Sequence, residues 1–520
     1  MAVPPSDGSP SLLDSQPPKR NGFEMATGLI NSRTESVKKP ASLPFARTVR
    51  LRSVAEEARA EDEGSMTTTT PVSVRTEVSA DAATSPDAQS PAPSASPLPK
   101  LGANSRWGIG KRVAFRFAFA YFALFLFPSP LGIIPGLSKP AAAYDRLVYS
   151  VVVWVGRHLL RLTQEIPTAT NGSGDRLADY LQVLCFVALS TIAALVWSIV
   201  DRKRPNYDRL FAFLRIWVRY YLACTMMSYG MSKVFRLQFP PNGVWRLTER
   251  YGDSSPMGIL WAFMGASGPY TIFGGLAELI PGILLFFRRT TTLGALVLVP
   301  VLTNIVLMNL SYDVPVKLYS MNLLLVAVFL LIPEMRRLSN VLLFNRPTER
   351  MKISWTPAPR WIQVARAIAK VGFIGIALFH YTQRSMNRLS EWSNLLKSPL
   401  YGIYEVEEFD KRGEATVSKD DALKRWRIVS VSSRGLSIRS LDESMQSLRM
   451  DHDAAQRTFS SSQEGKKSLL TYSQPDEAHL ILDGSYRDEA IKVKLRKLDP
   501  SKFLLVNRGF HWINEVPYNK

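Results

Sequence analysis

Apolar residues in this chain collect in long runs separated by short basic turns. Three runs stand close together at 268–287, 293–310 and 317–333, each near the roughly 20 residues that a bilayer-spanning helix needs. Others lie at 113–127, 178–200, 210–229 and 362–380. The pattern predicts an α-helical polytopic membrane protein of about seven spans. Segment 144–162 is apolar at 148–155 but carries Asp145, Arg146, Arg157, His158 and Arg161. It reads as an interfacial amphipathic helix; the alternative, a true span, runs against the charge bias of the loop that follows.

After residue 400 the period changes to two. In Ile491-Lys492-Val493-Lys494-Leu495-Arg496 apolar and basic residues alternate, the signature of a half-buried strand. Similar runs at 401–409, 425–431, 436–441, 469–472, 479–482 and 503–506 are separated by Gly, Asp and Pro turns, predicting a small antiparallel barrel or sandwich. The ending at 508–515, with Phe510, His511, Trp512 and Glu515, reads as a seal on a barrel end rather than as catalytic machinery. Residues 1–106 are rich in Ser, Thr, Pro and Ala and bury too little surface to offset chain entropy, so a disordered tail is expected. No secretory signal peptide opens it, and Met66 is an alternative start. The resulting division is a tail (1–106), N-terminal membrane helices with an interfacial helix (107–205), a four-helix membrane core (206–336), a loop and last span (337–385) and an all-β domain (386–520).

The formal charge of +20 does not signal nucleic acid, because the Lys and Arg residues cluster at the ends of apolar runs, as the positive-inside rule requires. The basic turns at 202–204, 288–289 and 336–352 are assigned to the cytoplasm. That places the chain in the inner (plasma) membrane with a cytoplasmic N-terminus and an extracytoplasmic β domain. The two cysteines, Cys185 and Cys224, lie inside apolar runs and form no CxxC pair. The five histidines never stand at i, i+4, so no metal site is expected.

Candidate chemistry lies where hydrocarbon should reject it. Glu278 falls mid-run, Asn304 and Asn309 lie in the next run, and Tyr312, Asp313 and Lys317 occupy the link after it. Polar groups at such depth are functional by default. Gly274, Gly275 and Gly282 share a helical face with Glu278, which admits a second helix closely. Lys233 ends the run at 210–229 and is followed by Arg236 and Phe239-Pro240-Pro241, and a lid with Trp245 spans 242–267. Alternatives stay open: Glu278 as a neutral carboxyl or as interhelical glue paired with a lysine, Asn304 as an interhelical hydrogen bond, Asp313 and Lys317 as a solvated loop, and Lys233 as a snorkelling cation. The expectation is that Lys233, Glu278 and Lys317 converge near the outer leaflet with Asn304 deeper. In it Lys233 pairs with Asp313, and Glu278 pairs with Asn304 or with a ligand. Lys233, Glu278, Asp313 and Lys317 are the catalytic candidates; Asn304, Asn309, Tyr312, Trp245 and Arg236 are the ligand-binding ones.

Over residues 210–334 the chain resembles the DoxX-like membrane family, through Gly230-x-x-Lys233 with Pro240, Gly275-x-x-Glu278-x-x-x-Gly282 with Leu284-Leu285, and Leu293-Gly294-Ala295. An overlapping resemblance is to the transmembrane domain shared with vitamin K-dependent gamma-carboxylases, through Lys233, Trp245 and a following β-rich domain. The first implies a four-helix unit related to small subunits of quinone-linked oxidoreductases. The second implies a lysine at position 233 that works with a quinol. Two functions are therefore expected, with a carboxylase-like enzyme using Lys233 as a further alternative that the second resemblance implies. One is a quinone- or lipid-linked redox component with a redox partner protein. The other is a non-catalytic binding or assembly protein whose β domain holds a partner outside the membrane.

Overall fold

The computed structural model describes residues 106–129, 138–166, 172–348, 359–396, 398–411, 425–432, 435–463 and 465–519. The expectations for residues 1–105, including Met66, lie outside them. The helices are α1 (Ile109–Leu126), α2 (Ser138–Trp154), α3 (Leu177–Val200), α4 (Asp208–Val234), α5 (Val244–Thr248), α6 (Pro256–Ala266), α7 (Gly268–Leu285), α8 (Thr291–Ser311), α9 (Lys317–Leu331), α10 (Met335–Leu342) and α11 (Arg360–Leu396). Among the described residues six helices are long and apolar enough to cross a membrane: α3, α4, α7, α8, α9 with its extension, and α11. The protein is therefore a multi-span membrane protein. Helix α1 has 18 residues but carries Lys111, Arg112 and Arg116 and is not among the six.

One end of the bundle gathers the basic turns. There the Trp107 backbone N–H donates to the Pro205 carbonyl at 2.9 Å, and Arg112 donates to the carbonyls of Arg202 and Arg204. The start of α1 is thus fastened to the α3–α4 turn. Helix α2 instead meets the far ends of its neighbours: Tyr144 Oη donates to the Leu124 carbonyl at 3.0 Å, and Gly156 packs against Leu181 near the start of α3.

The centre is a bundle of α4, α7, α8 and α9. Helices α4 and α7 cross on glycine. A Cβ on Gly230 would stand 2.8 Å from the Gly275 carbonyl oxygen, and one on Gly275 would stand 2.8 Å from the Gly230 carbonyl oxygen. No side chain fits at either place, and the two backbones touch because none is present. Helix α9 is capped from a distance, since the Asp175 carboxylate accepts from the Lys317 and Leu318 backbone N–H groups at 2.8 and 3.0 Å. Those donors have no partner within their own helix.

Helix α11 contains the expected last span at 362–380 and is one of the six candidate spans. It runs 37 residues, about 55 Å at ~1.5 Å per residue, and continues to Leu396. Phe373 packs on Tyr220 and on Phe286, at the basic end of α7.

The β domain has nine strands: β1 (Gly402–Lys411), β2 (Trp426–Ser432), β3 (Gly435–Ser440), β4 (Met445–Arg449), β5 (Asp451–Asp453), β6 (Thr458–Gln463), β7 (Lys466–Ser473), β8 (His479–Tyr486) and β9 (Glu489–Leu498). Their order is β4-β3-β2-β1-β9-β8-β7-β6-β5, with every pairing antiparallel. The two edges, β4 and β5, are consecutive stretches of one segment, and Ser461 Oγ of β6 donates to the Arg449 carbonyl at 2.8 Å. The sheet thus wraps into a nearly closed barrel, which removes its edges. Inward residues such as Val429, Ile438, Leu470, Leu482, Val493 and Leu495 are fully buried, so the barrel is packed solid. Two expectations fail here. Residues 503–506 lie in a helical turn, α12 (Leu504–Asn507), and the ending seals nothing, since Trp512 is 90% exposed. The barrel is held to the bundle by α5: Thr248 and Ser430 hydroxyls lie 3.2 Å apart, and the Val244 N–H donates to the Tyr401 hydroxyl at 3.4 Å.

Candidate functional site

The glycine crossing decides which charged groups can meet. With α4 and α7 in backbone contact, Lys233 in the last turn of α4 reaches Glu278 in the middle of α7, and Nζ donates to Oε1 at 2.6 Å. Both side chains are buried, 8% and 2% exposed. The second carboxylate oxygen, Oε2, is also buried and has no hydrogen-bond partner among the described residues. A lone acceptor in such surroundings is costly unless something donates to it.

Tyrosines line the interior beside the pair. Lys233 Nζ lies 5.6 Å from the centre of the Tyr229 ring, Tyr229 and Tyr319 rings are 6.3 Å apart, and the hydroxyls of Tyr319 and Tyr221 are 3.3 Å apart. A second polar contact joins Tyr121 Oη to Asn322 Oδ1 at 2.5 Å. Beyond Lys233 the chain turns over the pair. Arg236, at φ 53°, donates from Nη2 to the Gly265 carbonyl at 2.9 Å, and Asn242 donates to the Ala262 carbonyl at 3.0 Å. Phe239, Leu260, Met264 and Val314 form a buried apolar cluster in this cover.

The expected pairing of Lys233 with Asp313 is corrected. Asp313 has a positive φ of 50° and stays at the surface, where its Oδ1 accepts from Lys317 Nζ at 2.7 Å, one helical turn on. Lys317 also faces Asp175 at 3.7 Å, so it does not converge on Glu278. Asn304 is exposed, on the face of α8 opposite the buried stripe of Leu298, Leu302, Val306 and Asn309, and it does not pair with Glu278. Asn309 is buried, with its Nδ2 unpartnered among the described residues. Tyr312 is half-exposed, and Trp245 is stacked by Arg246 at 4.2 Å. Arg236 belongs to the cover.

Sequence reasoning missed the tyrosines and Asp175. The first had a legible signal, because Tyr221, Thr225, Tyr229 and Lys233 recur every four residues and so form one polar stripe on α4. The second had none, since Asp175 acts across 142 residues. A separate cleft of about 310 Å³ opens where the segment after α11 meets the barrel, lined by Leu400, His452, Arg457 and Tyr472. None of the sequence-predicted residues lines it. Among the described residues no group of His, Cys, Asp and Glu could hold a metal ion.

No family model and no solved structure matches the chain. A stretch of 125 residues, 24% of the chain, is 32% identical to the uncharacterized protein YwoB of Bacillus subtilis (strain 168) and covers 78% of that protein. At that identity and coverage, the chain belongs to the family of the uncharacterized protein YwoB.

Proposed function

We propose that this is a quinone- or lipid-linked, redox-associated protein of the inner membrane, built on a DoxX-like four-helix unit, whose ligand head group docks at Glu278. The observation that carries the reading is the buried, unpartnered Oε2 of a carboxylate whose other oxygen is held by Lys233. A hydroxyl on a lipid-soluble ring is the kind of donor that satisfies such an acceptor without bringing water into the bundle. Lys233 fixes the carboxylate through Oε1, and Oε2 receives the hydrogen bond and then one of the two protons that a quinol loses with its two electrons on oxidation, the second proton leaving to water. The electrons leave to a redox partner protein. Basic turns support a cytoplasmic N-terminus, α1 as the seventh span and the barrel outside.

A second reading, a non-catalytic membrane assembly protein, draws support from the barrel. Its interior is filled, which leaves the outer face for recognition. Solvent extraction of the purified protein separates the two. The redox reading expects a co-purifying quinone in the wild type and its loss in Glu278→Gln and Lys233→Ala. Quinone content unchanged in both folded variants would leave the pair a packing feature and favour assembly.

A further inference from the structure

At the basic end of the bundle a different charge cluster is left unbalanced. Helix α4 carries Arg215 and Arg219 one turn apart. Arg215 Nη2 lies 3.6 Å from Glu334 Oε1, while the other oxygen of Glu334 accepts from Arg337 Nη1 at 2.8 Å. One carboxylate therefore serves two guanidinium groups. Arg219 makes a long contact to a side-chain oxygen there, 3.4 Å from Nη1 to Thr291 Oγ1, and also interacts with Tyr220, whose ring centre lies 5.5 Å away. The Nε atoms of Arg219 and Arg337 are buried without a hydrogen-bond partner among the described residues. Arg288, in the α7–α8 turn, lies within electrostatic reach of both Arg215 and Arg219 and adds positive potential.

The location narrows what can answer this charge. Thr291 begins α8, Glu334 follows α9, and Phe286 closes α7, so the cluster stands where the helices leave the hydrocarbon. Ile216 and Phe287 are exposed beside it on the same elements. A guanidinium fork matches the paired oxygens of a phosphate, and basic pockets between helix ends at this depth suit lipid head groups.

We propose that Arg215, Arg219 and Arg337 form a site for the phosphodiester head group of an anionic phospholipid in the leaflet that contacts the basic turns. The acyl chains lie along the exposed apolar residues, and Thr291 Oγ1, which donates to the Phe287 carbonyl at 3.0 Å, accepts from Arg219 and steadies its guanidinium. The site is independent of the Lys233–Glu278 pair.

The test uses the full chain, delipidated in detergent, with binding followed by native mass spectrometry against phosphatidylglycerol, phosphatidylcholine of matched chains, and inorganic phosphate. Saturable phosphatidylglycerol binding, at least about five-fold tighter than phosphatidylcholine, is expected, with a further loss of about five-fold for each arginine removed. Arg219→Gln tests the packed position. Arg337→Gln tests the same site from a side chain that is 41% exposed, where folding is least at risk. Equal affinity for the two lipids, or unchanged affinity in Arg337→Gln, would overturn the proposal. Displacement of phosphatidylglycerol by equimolar inorganic phosphate would overturn it in favour of a free anion.

Discussion

Arg116 and Glu278 are both charged and both buried, 3% and 2% exposed, yet the fold treats them in opposite ways. Arg116 has every donor group answered: Nε and Nη2 donate to the Tyr207 hydroxyl, Nη1 to Ser198 Oγ, and Nη2 also to the Asp201 carbonyl. The Tyr207 hydroxyl donates to Asp201 Oδ2 at 2.9 Å, and burial pushes its phenol up, so it stays neutral. This network joins α1 to the α3–α4 turn. Glu278 has one oxygen answered and one left open. A complete set of partners marks a group whose task is structural. On the proposed function, the incomplete set of Glu278 among the described residues marks the group that meets the ligand.

The comparison breaks first at Arg116. Replacing it with Leu should cost about 3–5 kcal/mol, because it leaves Tyr207, Ser198 and Asp201 without their partner. Chemical unfolding of the detergent-solubilised protein reads the loss, and quinone content per folded chain should not change. A smaller effect is expected at the pair. Glu278→Ala leaves the Lys233 ammonium buried and unpaired and should be strongly destabilising, whereas Lys233→Met with Glu278→Met should recover most of that loss. A double variant as unstable as the single one would show that the pair holds α4 to α7 by itself.

Smaller again is Asp175→Ala. Removing the cap of α9 should cost about 1 kcal/mol and raise hydrogen exchange at Lys317 and Leu318 above all. The smallest effect lies on the barrel at Asp476. His479 and the backbone N–H groups of Ala478 and His479 hold its carboxyl below the usual carboxylate range. A group depressed in the folded state contributes stability above its unfolded value, ~3.9, and loses it as pH falls through the folded value. Asp476→Asn should therefore raise hydrogen exchange at the start of β8 at neutral pH, with the difference from wild type vanishing in acid.

The membrane helices were legible because each apolar run is about one bilayer long, and six strands announced themselves by alternation. Strands β4, β5 and β6 did not. In β6, Thr458–Gln463, only Phe459 is buried, so the period of two has a single apolar beat, and only the neighbouring strands define it. At the site, Glu278 and Lys233 were legible as misplaced charges, and a lysine holding Glu278 across helices was one open alternative, but that the lysine is Lys233 was not. Which cation meets which carboxylate depends on two glycine backbones lying so close that a Cβ on either would stand 2.8 Å from the other's carbonyl oxygen, and that approach is a property of packing rather than of spacing along the chain. Asn304 misled for a related reason: of the eight residues flanking it in 300–308 only Thr303 is polar, and composition alone does not distinguish the lipid-facing side of α8 from its core side.

The claim that Glu278 Oε2 receives the ligand is tested most directly by redox-induced infrared difference spectroscopy. The full chain is reconstituted with a short-chain benzoquinone and cycled between oxidised and reduced states. A carboxyl band that changes on reduction, present in the wild type and absent from Glu278→Gln, is the predicted result. Identical difference spectra from the wild type and Glu278→Gln would contradict it.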